Sequence, residues 1–273
     1  MRSVSPVAAV TEVTEGSLSP GLPYLRLGDG PPLVMASALT PEHANPTGAW
    51  RRMYISTAAP FADHFTVYLV NRKVGLAPKS TMADIAGDYA RAIENDIGQP
   101  VMLHGTSIGG SMALQLAIDH PQLVRRLVLN SAACRGSPRG RQAAAELARL
   151  TKTGDHRRGW ALATEMLPAD RLRFPARVLG WLIGPSMAAK DPSDMLITIE
   201  AGNAFDAEPD LHRVQAPTLV LGGSADQFNS EDLFRRTAAG IPNGQVVIFP
   251  GKGHLYGATS KAAVSTALGF LLG

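Results

Sequence analysis

The chain has a single cysteine, Cys134, among 273 residues. No intramolecular disulfide can form, and a lone thiol fits a reducing, cytoplasmic compartment. Long apolar runs are also missing, since no stretch reaches the roughly 20 residues that a membrane-spanning helix needs. The opening sequence MRSVSPVAAVTEVTEG has one short apolar piece, soon broken by Glu12 and Glu15, and lacks the core of a secretion signal. Charge is sparse. Charged residues make up 18% of the chain and the net charge is +3, so the total gives no reason to expect nucleic acid as a partner. Metal-ligand spacings, a GxGxxG loop and a Walker-type loop are absent, and the expectation is no metal and no cofactor. Internal repeats and low-complexity tracts are absent too.

What is present is an ordinary globular balance with 45% hydrophobic residues, in a chain long enough to bury a sizeable core. Strand-like runs, PYLRLG (23–28), PLVMAS (32–37), HFTVYLV (64–70), VMLH (101–104) and RRLVLNS (125–131), are punctuated by turns and helices. Residues 80–98 read as a helix, because Met82, Ile85, Tyr89, Ile93 and Ile97 recur every three or four positions. Thr81 and Asp84 form a cap signature at its start, and Gly98 provides a stop. Continuous apolar strands alternating with helices predict an α/β fold with a mostly parallel central sheet buried on both faces.

The rhythm changes from Ala132 to about Arg213, which is rich in Ala, Arg and Leu and offers no strand. It resumes with PTLVLGG (217–223), a helix near 230–239, QVVIFPG (245–251) and a helix near 260–272. The predicted organisation is a core of residues 1–131 and 214–273 with a helical insertion at 132–213. Inside the insertion, ten Lys or Arg lie between Arg135 and Arg177 against Glu146, Asp155, Glu165 and Asp170. Such a run reads as a solvated helical surface, or as a surface that attracts an anionic substrate or carrier.

Chemistry is suggested by Gly105-Thr106-Ser107-Ile108-Gly109, where a buried strand runs straight into a helix. A serine on so sharp a turn needs small neighbours, which Gly105 and Gly109 supply, while Gly110 lets the helix approach the sheet. The N-terminus of that helix favours an anion beside it. A serine hydroxyl is a weak nucleophile and needs a base, which in turn needs an orienting acid. Of seven histidines, His254 follows a strand in the glycine-rich FPGKGHLYG. His104, on the strand before Ser107, reads as a packed or hydrogen-bonded structural residue. Asp226 leaves the end of an apolar strand in LGGSADQF, whereas the strand at 125–131 ends in Asn130 and Ser131 with no carboxylate.

The order Ser107, Asp226, His254 and the motifs around them resemble the α/β-hydrolase superfamily, over nearly the whole chain outside 132–213. The resemblance implies Ser107 as nucleophile, His254 as general base and then acid, and Asp226 as the residue orienting His254. It implies a helical cap at 132–213. It also implies an oxyanion hole from backbone N–H groups: with Ser37 and Ala38 where the family usually has His-Gly, Leu39 becomes one donor and Ile108 the other. Thr106, at a position often His or Gln, is expected to shape the pocket. Trp160, Met166, Leu167, Phe174, Trp181, Met187 and Met195 are expected to line it from the cap. Arg72, in the loop after the 64–70 strand, is expected to be structural. A serine in place of aspartate argues against the epoxide hydrolase and dehalogenase branches. The implied activity is hydrolysis of an ester, thioester or related acyl bond of a small, largely apolar substrate. The alternatives are acyl transfer, lysis or cofactor-free perhydrolysis with the same residues, or a silent ligand-binding protein. The expected partner is a small molecule, with no membrane and no nucleic acid, and the oligomeric state is open.

Overall fold

The computed structural model describes residues 12–273, so the reading of the first eleven residues as lacking an export signal lies outside the described part. The chain forms β1 (Thr14–Leu18), β2 (Leu22–Leu27), β3 (Pro32–Ala36), α1 (Gly48–Ala62), β4 (Thr66–Val70), α2 (Met82–Ala92), β5 (Val101–Thr106), α3 (Ile108–Asp119) and β6 (Val124–Asn130). Four helices follow: α4 (Pro138–Lys152), α5 (His156–Glu165), α6 (Arg173–Ile183) and α7 (Ser193–Ala204). β7 (Thr218–Gly223), α8 (Glu231–Gly240), β8 (Gly244–Phe249), α9 (Tyr256–Thr259) and α10 (Lys261–Leu272) complete it.

The eight strands make one sheet in the order β1-β2-β4-β3-β5-β6-β7-β8. β2 is antiparallel to β1 and β4, and every other pairing is parallel. The expected α/β architecture is therefore present. Its central strands are apolar at successive positions because both faces are covered. Val34, Leu103, Leu127 and Val220 join a core with Ile85 of α2, Met112 of α3 and Phe234 of α8. Leu33, Val67, Val128 and Leu219 face the other way, onto Phe61 of α1 and Leu271 of α10. Each fully buried Leu or Val of this kind stabilises the fold by roughly 1.5–3 kcal/mol relative to exposure.

Local signals and structure agree where chemistry fixes them. Thr81 Oγ1 accepts the Asp84 N–H at 3.2 Å while Asp84 Oδ2 accepts the Thr81 N–H at 2.7 Å, closing a reciprocal cap on α2. The 80–98 helix differs in its last turn, which widens to a π turn over Ile93–Ile97 and stops at Gly98 with φ 71°. Three elements escape the sequence reading, β1, α1 and the single turn α9. β1 is a short polar edge strand, and α1 carries Pro60 and buries only Ala58, Phe61 and Ala62, so neither has a strong periodic apolar signature. Among the described residues no helix is long and apolar enough to cross a membrane, and no cluster of His, Cys, Asp and Glu could hold a metal. Cys134 is buried and free.

Candidate active site

Ser107 sits where β5 meets α3, with φ 54° and ψ −124°, a conformation that costs a non-glycine residue about 1–3 kcal/mol. The glycines around it are there for space. A Cβ on Gly105 would lie 2.5 Å from the Gly110 Cα, and one on Gly109 would lie 2.4 Å from the Ala36 carbonyl oxygen. The Ser107 N–H donates to the Asn130 carbonyl at 2.9 Å, and the Ser107 carbonyl accepts from Gly110 and Ser111. These bonds fix the turn and leave the hydroxyl at the carboxyl edge of the sheet.

The loops after β7 and β8 bring the acid and the imidazole to the same edge. Asp226 Oδ1 accepts the N–H groups of Phe228 at 2.8 Å and Asn229 at 3.0 Å, which leaves Oδ2 free for His254 Nδ1 at 2.7 Å. A carboxylate can only accept, so Nδ1 carries the proton and Nε2 presents its lone pair. Nε2 lies 3.0 Å from Ser107 Oγ. His254 is itself held. The Ser131 hydroxyl donates to its carbonyl at 2.7 Å, and the Phe228 ring lies 4.8 Å from the imidazole. Asn229 Nδ2 donates to the Ser131 carbonyl at 3.1 Å. Asp226 and His254 are both buried, so water competes weakly for these bonds.

The loop after β3 is held from below by one guanidinium. Arg72 Nη1 donates to the Ser37 carbonyl and Nη2 to the Ala38 carbonyl, both at 3.0 Å, and Nη2 also reaches Thr40 Oγ1 at 3.1 Å. Its Nε donates to His43 Nε2 at 3.1 Å, while His43 Nδ1 donates to the Lys73 carbonyl at 2.9 Å. His43 is thereby fixed in the Nδ1–H tautomer. Thr198 of α7 touches the same His43 nitrogen at 3.3 Å. Asp194 of α7 accepts the N–H groups of Gly75 at 2.9 Å and Leu76 at 2.8 Å. Arg72 is thus structural in a particular sense: it sets the conformation of residues 37–40 and joins them to α7. Sequence reasoning gave His43 no role, because its partners are a backbone carbonyl and an arginine 29 positions away.

Ser107 and His254 open onto a cavity of about 730 Å³. Leu39, Thr106, Ile108, Trp160, Leu167 and Met187 line it. Asp226 stands behind His254, outside the lining. Four residues expected in the pocket lie elsewhere. Met166 and Met195 are buried in packing, Met195 with Leu147, Ala148 and Ile199. Phe174 and Trp181 are exposed on the outer side of α6, because the small Ala176 and Gly180 turn toward α5 instead. In the other direction α1 contributes Trp50, Met53, Tyr54 and Phe61 to the wall, none of which the sequence singled out. His104 also borders the cavity. It is buried against Phe61, with ring centroids 5.9 Å apart, and its Nδ1 has no hydrogen-bond partner among the described residues.

Burial holds the His104 imidazole neutral, with its pKa pushed down to about 4. His43 is also lowered to about 4, by burial and by the Arg72 charge. Each folded value lies below the unfolded one, so the stabilisation is full above about pH 6.5 and is lost as pH falls toward 4. For His104 alone this amounts to on the order of 3 kcal/mol by pH 4. Melting temperatures of His104→Phe are therefore expected to fall less steeply than those of the parent between pH 6.5 and 4. Parallel curves would mean that His104 titrates normally.

Comparison with known proteins fits this geometry. Over 201 residues the chain is 30% identical to the putative carbamate hydrolase RutD of Caulobacter sp. strain K31, covering 72% of this chain and 75% of that one. It is 28% identical to the putative non-heme bromoperoxidase BpoC of Mycobacterium tuberculosis over 262 residues, 90% and 95% of the two chains. In fold it is similar to the enol-lactonase of Burkholderia xenovorans LB400, with a TM-score of 0.79, 18% identity, and 95% and 100% of the two chains covered. Residues 43–266 match the profile of the Alpha/beta hydrolase family, to which the chain belongs.

Proposed function

We propose that this hydrolase cleaves an ester, thioester or related acyl bond of a small, largely apolar substrate through an acyl-enzyme on Ser107. The observation that carries the reading is one buried imidazole spanning Asp226 at 2.7 Å and Ser107 at 3.0 Å. Nε2 removes the hydroxyl proton as Ser107 Oγ attacks the acyl carbonyl. Asp226 holds the tautomer and stabilises the imidazolium that forms. His254 then protonates the leaving group, which departs as an alcohol or thiol. A water enters, gives its proton to Nε2, attacks the acyl carbon and releases the acid with Ser107 restored.

Charge develops on the carbonyl oxygen in both steps, and the N–H groups of Ile108 and Leu39 are assigned to it. Ile108 is the first residue of α3, where an N–H has no carbonyl partner within the helix. Leu39 sits between Ala38 and Thr40, both held by Arg72, so the hole is preorganised although the usual His-Gly is replaced. Residues 132–213 act as the cap over a core formed by the described residues of 1–131 and by 214–273, since Leu147, Trp160 and Ala163 wall the cavity from that side. A largely apolar substrate is supported by the aliphatic and aromatic side chains that make up most of the lining, among which Glu42, Asn130, Arg141 and Asn203 are polar exceptions.

A fluorophosphonate probe tests the reading. The expected result is stoichiometric labelling at Ser107, lost in Ser107→Ala, together with release of free acid from a panel of esters and thioesters of graded chain length. Folded protein that stays unlabelled would overturn the nucleophile. Labelling accompanied by acyl transfer to an added alcohol or peroxide, without free acid, would move the activity to the non-hydrolytic alternatives.

A further inference from the structure

We propose that the outer face of α6 is a docking surface for an anionic lipid bilayer. The helix is amphipathic but turned inside out. Its small residues face the protein: a Cβ on Gly180 would lie 2.0 Å from Thr164 Oγ1 and 2.4 Å from the Trp160 carbonyl oxygen. Thr164 Oγ1 also donates to the Ala176 carbonyl at 2.8 Å, clamping the two backbones together. The large apolar residues are consequently exposed, Phe174, Val178 and Trp181 along an open groove that Leu150 of α4 and Ala161 and Leu162 of α5 share. Phe174, Val178, Trp181 and Leu182 recur at the spacing of one helical face, and they are 75%, 42%, 47% and 58% exposed. Leu172 and Leu179 extend the patch. An exposed apolar patch this continuous marks an interaction surface.

Charge selects the partner. Residues 156–183 hold five arginines, at 157, 158, 171, 173 and 177, against Glu165 and Asp170, a positive excess equal to that of the entire chain. Glu165 pairs with Arg173 and Arg177, and Asp155 lies 3.6 Å from Arg158. The Arg157 guanidinium stacks over the Trp181 ring at 4.3 Å and donates to the Trp181 carbonyl. Arg171 and Arg177 are exposed beside the apolar face. A second copy placed face to face would oppose these arginines to one another. An anionic bilayer neutralises them while taking up Phe, Trp and Leu at the headgroup boundary, the signature of a helix lying in an interface. The expectation of no membrane partner rested on the lack of a spanning segment, and α6 at eleven residues lies along a membrane rather than through it. α5, directly beneath, supplies Trp160, Ala163 and Thr164 to the cavity wall, so docking would set that wall against the lipid.

The test is cosedimentation of the full chain with phosphatidylcholine vesicles, with and without phosphatidylglycerol. Binding is expected to the anionic vesicles, at least about tenfold weaker to phosphatidylcholine alone or in high salt. Phe174→Ser/Leu182→Ser is expected to lower binding by at least about tenfold with unchanged thermal melting, and Arg157→Glu/Arg171→Glu to remove the preference for anionic lipid. Because binding is read directly, the outcome is independent of whether Ser107 reacts. Absence of binding to anionic vesicles, binding retained by the serine variant, or a dimer that the serine variant dissolves would each overturn the proposal.

Discussion

Ser107→Ala is expected to lower kcat/KM for any productive ester by roughly 10^4- to 10^6-fold while leaving the fold intact. The magnitude follows from the arrangement. His254 Nε2 has the Ser107 hydroxyl at 3.0 Å as its polar partner in the cavity, and without that oxygen no covalent intermediate can form. His254→Ala is expected to cost a similar factor, and the double variant little more, because the residues act as one unit. Asp226→Asn should cost about 10^4-fold, since an amide can donate to Nδ1 and invert the tautomer. The backbone supplies a control that separates chemistry from folding. Ser107 holds φ 54°, so Ser107→Gly, equally inactive, should melt higher than Ser107→Ala by an equivalent of about 1 kcal/mol. Residual activity above about 1% of the parent in Ser107→Ala would remove the serine from the reaction.

The second large effect is expected at Arg72→Met. The guanidinium is almost wholly buried, and it satisfies the carbonyls of Ser37 and Ala38, the Thr40 hydroxyl and the His43 ring at once. Removing it leaves these buried acceptors unsatisfied at about 1–3 kcal/mol each, enough for a melting temperature lower by roughly 10 °C for a chain of this size. The kinetic signature distinguishes a positioning residue from a merely structural one. Loosening the loop that carries the Leu39 N–H should reduce kcat by about 10^2-fold with KM little changed, because the lost interaction forms only with the developing oxyanion. Arg72→Lys should rescue little, since a single ammonium cannot span two carbonyls, a hydroxyl and a ring. A variant that melts lower but keeps kcat would show that residues 37–40 hold their shape without the guanidinium.

How much of this was readable in the residues depends on whether the signal was local. The strand–turn–helix around Ser107 was legible because Gly105 and Gly109 are required by sterics within five residues. The acid and the imidazole were legible because each leaves a β-rich run through a glycine-rich loop, and a parallel sheet delivers such loops to one edge. The Arg72 clamp was not legible, since its acceptors are backbone carbonyls, which carry no sequence identity. α1 was obscured by Pro60 and by a face on which few positions are buried. α6 misled for a different reason. Its large apolar residues were read as pocket lining, but which side of the helix packs inward is decided by Ala176 and Gly180, whose small size allows close approach to α5. Phe174 and Trp181 were accordingly assigned to a pocket they do not enter.

The three residues at the sheet edge come from strands β5, β7 and β8, and Ser107 and His254 are 147 positions apart. Activity is therefore a property of finished synthesis. A nascent chain that has emerged through β5 and α3 already has its elbow, but Ser107 has neither His254 nor Asp226 beside it until the last two strands have left the ribosome and joined the sheet. Pairings over such separations form late, so an interrupted translation product would lack the proposed activity.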